Sequence, residues 1–303
     1  MRDIACSDSL LQILLDMKVT GLAYRFCLLV VVILLTGIAS GCTHRLYAPM
    51  QPDGWSAQPI VNACRFAPDA DLDPATGTPV GDKGYYLYIM TDASKWDFSK
   101  ARSILFTIWL RPTSHSWIML ESPGKRLEFG HTGNLGRLMP RYQEGVTKRA
   151  QDGDPNPIGY LWQTMPDGQF QTSKADRPPT FVWKIPITRL KYKRIYEFVN
   201  ERNYDQFDLR TNNCTDMVSK AAELAGINLI HRIRLTLPPE TSYWGRTVRV
   251  WTDPQYRILE YSTSDVLEVD LRSLAQFGIG IDATKWYLSL PASKTTKSPQ
   301  PSV

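Results

Sequence analysis

The chain has 303 residues, with 35 Lys and Arg against 30 Asp and Glu and a net charge of +5 at pH 7. At 43% hydrophobic and 21% charged it has the composition of a globular protein, which excludes a largely disordered or fibrous chain. The positive surplus is modest and forms no long basic run, so it argues against nucleic acid as a partner and fits proximity to anionic envelope material.

Phe26 to Ala39 is an almost unbroken apolar run, the length of a signal-peptide core and short for a membrane span. Lys18 and Arg25 supply its positive flank. It ends Ile38-Ala-Ser-Gly-Cys42. Small residues running into a cysteine resemble the lipobox of bacterial lipoproteins, in which the cysteine is acylated, palmitate included, and becomes the new N-terminus. Ala39 stands where Leu is commoner. The resemblance implies a signal peptide over residues 1–41, a lipid on Cys42 and attachment to a membrane through it. Thr43 follows that cysteine rather than Asp, which implies the periplasmic face of the bacterial outer membrane. Met17-Lys18 is a more typical start, so residues 1–16 are set aside from fold reasoning. Loss of residues 1–41 removes Arg2, Lys18 and Arg25 with Asp3, Asp8 and Asp16, and leaves the net charge unchanged. The mature chain then keeps Cys64 and Cys214. They could pair in an oxidising compartment; a free thiol kept there more often has a job.

Residues 42–82 are rich in Pro, Gly, Asp and Ala and read as a tether and irregular leading segment. A single domain is expected over residues 83–290. Tyr85–Thr91 and Ser103–Leu110 are apolar, aromatic and β-branched, as strands should be. His115–Glu121 and Lys125–Gly130 flank Ser122-Pro-Gly124 and predict a hairpin. A two-residue Pro-Gly loop makes opposing numbers sum to 247, with His115 opposite Thr132; a three-residue Ser-Pro-Gly loop makes the sum 246, with His115 opposite His131. Both registers stay open. Either way His131 lies within one residue of the position opposite His115, and Glu128 lies farther down the strand.

Residues 132–179 are long, polar and rich in Gly, Pro, Asp and Arg, the mark of an insertion over a site, a lid or groove wall, or of a floppy loop. Gly159–Trp162 inside it reads as a short strand or aromatic contact. Phe181–Pro186 predicts a strand. Ile187–Asn203 predicts a helix with Leu190, Ile195, Phe198 and Val199 on its apolar face. Leu237-Pro-Pro239 breaks the chain, and Thr247–Trp251, Tyr256–Tyr261 and Val266–Leu271 are expected strands. The Pro, Ser and Lys-rich tail, residues 291–303, is expected to be disordered.

The stretch that carries chemistry is Leu209-Arg-Thr-Asn-Asn-Cys-Thr-Asp216, followed by Met217–Gly226. Met217, Val218, Ala221, Leu224 and Ala225 fall on one stripe at helical spacing, Asn212 or Asn213 caps the start, and Gly226 suits the end. A polar turn thus delivers Cys214 to the first turn of a helix, where the positive end of the dipole favours a thiolate. A lone cysteine specifies no chemistry. A thiol hydrolase needs a histidine to shuttle the proton and a polar group to orient that histidine. Cys214, His115 and His131 can fill those parts, with backbone N–H groups at the helix start and the Asn213 side chain as an oxyanion hole. His231, near the end of the cysteine helix, is assigned to nearby carbonyls or solvent.

Asn212-Asn-Cys-Thr-Asp216 opening a helix, preceded by a strand bearing His115-Ser-Trp-Ile118, resembles the circularly permuted NlpC-like branch of the papain fold. That branch includes bacterial lipoproteins and, more distantly, the lecithin:retinol acyltransferase-like proteins. The resemblance spans roughly Lys83 to Leu235. It implies an α+β fold, an antiparallel sheet packed on a cysteine-bearing helix with the histidine strand first. It also implies Cys214 as nucleophile, His115 as base, and His131 as orienting residue with Glu128 in reserve. In the acyltransferase-like relatives a Glu-His pair follows the cysteine motif; here Thr215-Asp216 follows, so retinoid or phospholipid specificity does not transfer. The expected chemistry is acyl transfer through a thioester, on a cell-wall peptide amide or, as second reading, a lipid or acyl ester, with no metal or other cofactor. The rival classes are a non-catalytic binding lipoprotein and a zinc site built from Cys and two His.

Overall fold

The protein, seen in a computed structural model, is described over residues 54–60, 65–97, 100–101, 114–133, 142–170, 178–229, 231–243, 246–290 and 296–297. The apolar leader, Cys42, Cys64 and the strand expected at Ser103–Leu110 lie outside the described residues. Two units divide the chain, Met1–Cys42 and Thr43–Val303, and every described residue belongs to the second.

The elements are β1 (Ser56–Ile60), β2 (Tyr86–Asp92), β3 (His115–Ser122), β4 (Lys125–Gly133), α1 (Tyr142–Gln151), a 3-10 turn at Pro157–Trp162, β5 (Thr164–Met165), β6 (Gly168–Phe170) and β7 (Phe181–Pro186). There follow α2 (Arg189–Glu201), β8 (Phe207–Asp208), α3 (Cys214–Leu224), β9 (Arg232–Thr236), β10 (Glu240–Tyr243) and β11 (Arg246–Arg249). The chain continues with a 3-10 turn at Pro254–Arg257, β12 (Ile258–Ser262), α4 (Ser264–Gln276), β13 (Ile281–Asp282), α5 (Thr284–Leu288) and β14 (Thr296–Lys297). The fold is mixed α+β with antiparallel sheets.

The main sheet has the order β13-β7-β2-β3-β4-β14, with β6 also on β4. Its strands pair antiparallel except β14, which runs parallel to β4. Both faces are covered, which is why β2, β3 and β7 are almost continuously apolar rather than alternating. On one face Leu87, Ile89, Ile118, Leu120 and Phe129 pack with Met217, Val218 and Ala221 of α3, Ile195 and Val199 of α2, and Leu267, Leu271 and Leu274 of α4. On the other, Tyr88, Met90, Trp117, Met119 and Val182 pack beneath Trp286 and Tyr287 of α5. Every 1.5–3 kcal/mol or so gained per buried large apolar side chain holds α3 to that sheet.

The hairpin takes the two-residue loop. Ser122 pairs with Lys125, and Gly124 has φ 77°, the positive value a Pro-Gly type II turn requires. Opposing numbers therefore sum to 247, and the β3–β4 ladder runs to Trp117 opposite Gly130. Past that point His131 pairs with Phe170 of β6.

Several expectations are corrected. Ser56–Ile60, placed in the irregular tether, is an edge strand paired with β9. Pro59 disguised it, because proline is tolerated on an edge. Val266–Leu271 is helical. Val-Leu-Glu-Val-Asp-Leu alternates like a strand, but Thr263 caps a helix through the N–H of Asp265, and Val266, Leu267, Leu271 and Leu274 face the core while Val269 is 51% exposed. Gly159–Trp162 lies in a 3-10 turn that Pro157 can start, not a strand. Tyr256–Tyr261 is split, with its first residues in a 3-10 turn capped by Asp253. The described part of the insertion over residues 132–179 holds α1, β5 and β6, and the tail contributes Thr296–Lys297 to the sheet by parallel pairing with β4.

Candidate active site

The turn before the cysteine is built by Asp208. Its Oδ1 accepts from the N–H groups of Arg210, at 2.9 Å, and Thr211, at 2.6 Å, which folds Leu209–Asn212 back on itself. Asn213 then caps α3. Its Oδ1 accepts from Thr215 N at 2.8 Å and Asp216 N at 3.1 Å, and the Asp216 carboxylate accepts from Asn213 N at 3.1 Å, a closed capping box. Both Asn213 amide protons are also engaged, on the carbonyls of Leu209 at 2.9 Å and Ser262 at 3.2 Å. Asn213, expected as an oxyanion donor, is thus 4% exposed and fully used in holding the helix start. The Cys214 N–H has no acceptor among the described residues, since the first N–H groups of a helix lack intrahelical partners.

Cys214 is a free, half-buried thiol at the first position of α3. Next to it, buried Thr215 accepts a hydrogen bond from Ser116 of β3 at 3.2 Å. That contact docks the start of α3 on the start of β3, where His115 is the first residue. His115 is 3% exposed and stacks on Trp117 with ring centroids 5.5 Å apart. The pleat gives it the Trp117 face, while Ser116 takes the face that carries α3. Directly opposite His115 on β2 is Asp92, itself 4% exposed. Residues opposite one another on a ladder have neighbouring Cβ atoms. Asp92 is therefore the carboxylate the fold sets beside His115. Glu128 sits opposite Met119, about 13 Å along the strand from His115 at ~3.3 Å per residue, and accepts from Tyr287 Oη at 2.8 Å. Burial raises the Glu128 pKa and the Tyr287 hydroxyl partly offsets that.

His131 is fully buried between the edges of Tyr204 and Phe207, at 5.4 and 5.3 Å. Its Nδ1 lies 3.2 Å from Arg202 Nη2. A guanidinium only donates, so Nδ1 accepts and the ring proton belongs on Nε2. Burial, and then the Arg202 charge, lower the His131 pKa to about 4; His115 adds to the lowering. At neutral pH His131 is an uncharged imidazole whose accepting nitrogen is occupied. The same Arg202 Nη2 donates to Asn212 Oδ1 at 2.5 Å, two residues before Cys214. Burial lowers the Arg202 pKa, against the pull of Tyr204, Asp216 and Cys214.

No family model, curated protein or solved structure matches the chain.

Among the described residues no group of three or more His, Cys, Asp or Glu is placed to hold a metal ion, and no helix is long and apolar enough to cross a membrane. His231, read as a solvent or carbonyl contact, is instead buried against Ser219 Oγ, and burial lowers its pKa to about 3. Sequence reasoning missed Arg202 and Asp92. Arg202 is one residue past the end of α2, and nothing in its local sequence sets it apart from the other Lys and Arg residues of the chain. Asp92 is the last residue of β2, and the register that sets it against His115 depends on a pairing across more than twenty residues of chain.

Proposed function

We propose that the protein is a cysteine-dependent acyl-transfer hydrolase, with Cys214 as nucleophile and His115 as its proton shuttle. The hydrogen bond from Ser116 to Thr215 carries this reading, because it brings the first residues of the histidine strand to the first turn of the cysteine helix. The His115 ring lies on the Trp117 face, so its pairing with Cys214 is made around the start of β3. His131 is a poor shuttle, being neutral with Nδ1 facing a guanidinium. His115, the first residue of β3, is the other imidazole at this end of the sheet, with Asp92 opposite it on β2 to orient it. The Cys214 thiolate attacks the carbonyl carbon of an amide, and the carbonyl oxygen takes the negative charge within reach of the Cys214 N–H. His115 gives its proton to the leaving amine as the C–N bond breaks and a thioester forms. It then takes a proton from water, whose oxygen attacks the thioester and restores the thiol.

The arrangement of an antiparallel sheet packed on a cysteine-first helix, with the histidine strand earlier in the chain, supports a permuted papain-like, NlpC-like architecture. The lipobox-like Ala39-Ser-Gly-Cys42 supports an envelope lipoprotein, and that location favours an amide of a cell-wall peptide over a lipid ester. The test is to incubate the chain from Thr43 with wall-peptide fragments and with acyl esters, and to follow released amine and a mass increment on Cys214. Cleavage with a transient Cys214 acyl adduct, abolished by Cys214→Ala, is expected. Cleavage that survives Cys214→Ala contradicts the mechanism.

A further inference from the structure

Two of the described part-buried or buried cations, Lys191 and Arg65, are met by carboxylates, whereas Arg202 and Arg210 each have a buried Nε without an acceptor. Lys191, 4% exposed, has Asp71 at 3.3 Å and the carbonyls of Asp69 and Ala225 on its ammonium. Arg65 pairs with Asp270. Of Arg202 and Arg210, Arg202 is the one whose side chain is hydrogen-bonded to the turn that delivers Cys214. Its polar partners among the described residues are His131 Nδ1 and Asn212 Oδ1, both neutral, and no described carboxylate lies within ion-pair distance. Its Nε is buried without an acceptor, and one side of the guanidinium lies 5.9 Å from the Phe198 ring. Asp216, whose charge also acts on Arg202, is bonded to Ser262 Oγ and to the N–H of Asn213. The Cys214 thiolate also pulls on this guanidinium without hydrogen bonding to it, and a desolvated guanidinium with donors left over is costly unless something supplies acceptors. Arg202 and Cys214 are both half-buried, so both can be reached from solvent, and Arg202 holds the turn that delivers the thiol.

We infer that Arg202 is a substrate-binding residue that recognises a carboxylate on the acyl donor, close to the carbonyl that Cys214 attacks. The inference rests on the nucleophile reading above and deepens it: the preferred substrate is anionic, as a peptide with a free carboxylate near the scissile amide would be. A guanidinium suits a carboxylate because its donors match both oxygens at once. His131 and Asn212 fix the guanidinium through one Nη2, which leaves its remaining N–H groups for the ligand.

The test needs no identified substrate. Cys214 is alkylated with iodoacetate, which carries a carboxylate, and with iodoacetamide, its neutral isostere, on the chain from Thr43 with Cys64 replaced by Ser. The ratio of the two rates is compared with that of free glutathione. An opposite charge several ångströms away raises the wild-type ratio roughly tenfold over the free thiol. Arg202→Gln returns it to the free-thiol value, and Arg202→Lys keeps most of the gain. As a second readout independent of the thiol, succinate raises the melting temperature of the wild type saturably and leaves Arg202→Gln unmoved. A wild-type ratio equal to the free thiol's, or one unchanged in Arg202→Gln, together with no succinate effect, overturns the inference. Slow iodoacetamide labelling indifferent to His115 overturns the nucleophile reading instead, so the two failures look different.

Discussion

Replacing Asn213 with Ala removes four hydrogen bonds at once and should loosen the start of α3. The cap itself is worth about 1 kcal/mol. The two carbonyls that lose their donor, Leu209 O and Ser262 O, belong to residues only 9% and 6% exposed. An acceptor left unpaired at such a place costs roughly 1.5 kcal/mol. The sum is about 4 kcal/mol, a large part of the ~5–15 kcal/mol that a domain has in total. At an m of about 2.5 kcal/mol/M the urea midpoint should fall by roughly 1.6 M. Asn213→Asp separates the two contributions. It keeps the accepting oxygen for Thr215 N and Asp216 N and loses the donated pair, so it should still cost about 3 kcal/mol. Urea unfolding followed by circular dichroism reads both variants. A loss under about 1 kcal/mol in Asn213→Ala, or wild-type stability in Asn213→Asp, refutes the view that this amide ties the cysteine turn to β12.

Two buried histidines set a pH limit. His131 and His231 take up protons at about 4 and about 3 when folded, against about 6.5 when unfolded. The unfolded chain binds more protons between those values, so stability is full above pH 6.5 and falls as pH drops toward 4, by about 2 kcal/mol per histidine between pH 6.5 and 5. Asp265, raised to about 6 by burial, acts in the opposite sense and returns about 1 kcal/mol between pH 6 and 5. Urea midpoints at those pH values should show a net fall that His231→Gln cuts to about a third; a flat profile contradicts the burial of these rings. A Cβ on Gly168 would lie 2.1 Å from the backbone oxygen of Tyr204, in the segment that flanks His131. Gly168→Ala should cost about 2 kcal/mol or more in thermal or urea unfolding; wild-type stability in that variant means the 204–206 segment gives way freely.

How much could be read from the chain depended on the range of the signal. The cysteine helix, the helix at Arg189–Glu201 and the β3–β4 hairpin are specified by neighbours within a few residues: caps, a Pro-Gly turn, apolar spacing. Val266–Leu271 misled because Val269 faces solvent, so an alternation of apolar residues marked no sheet face. Ser56–Ile60 was hidden because its partner β9 lies far along the chain. The same limit held at the site. Cys214 and both histidines stand out by residue type, whereas Arg202 acquires meaning only when the turn before α3 brings Asn212 to it, and Asp92 only when β2 pairs with β3. The environment of His131 was also invisible, since it comes from burial and from a guanidinium 3.2 Å away.

The central claim is an activated Cys214 served by His115. Its most direct test is the rate of Cys214 alkylation by iodoacetamide against pH in the chain from Thr43 with Cys64→Ser, beside the same protein carrying His115→Ala. The account predicts fast labelling that persists well below the ~8.5 of a free thiol and is slowed when His115 is lost. Slow labelling with an ordinary thiol titration, indifferent to His115 in a folded protein, would contradict it.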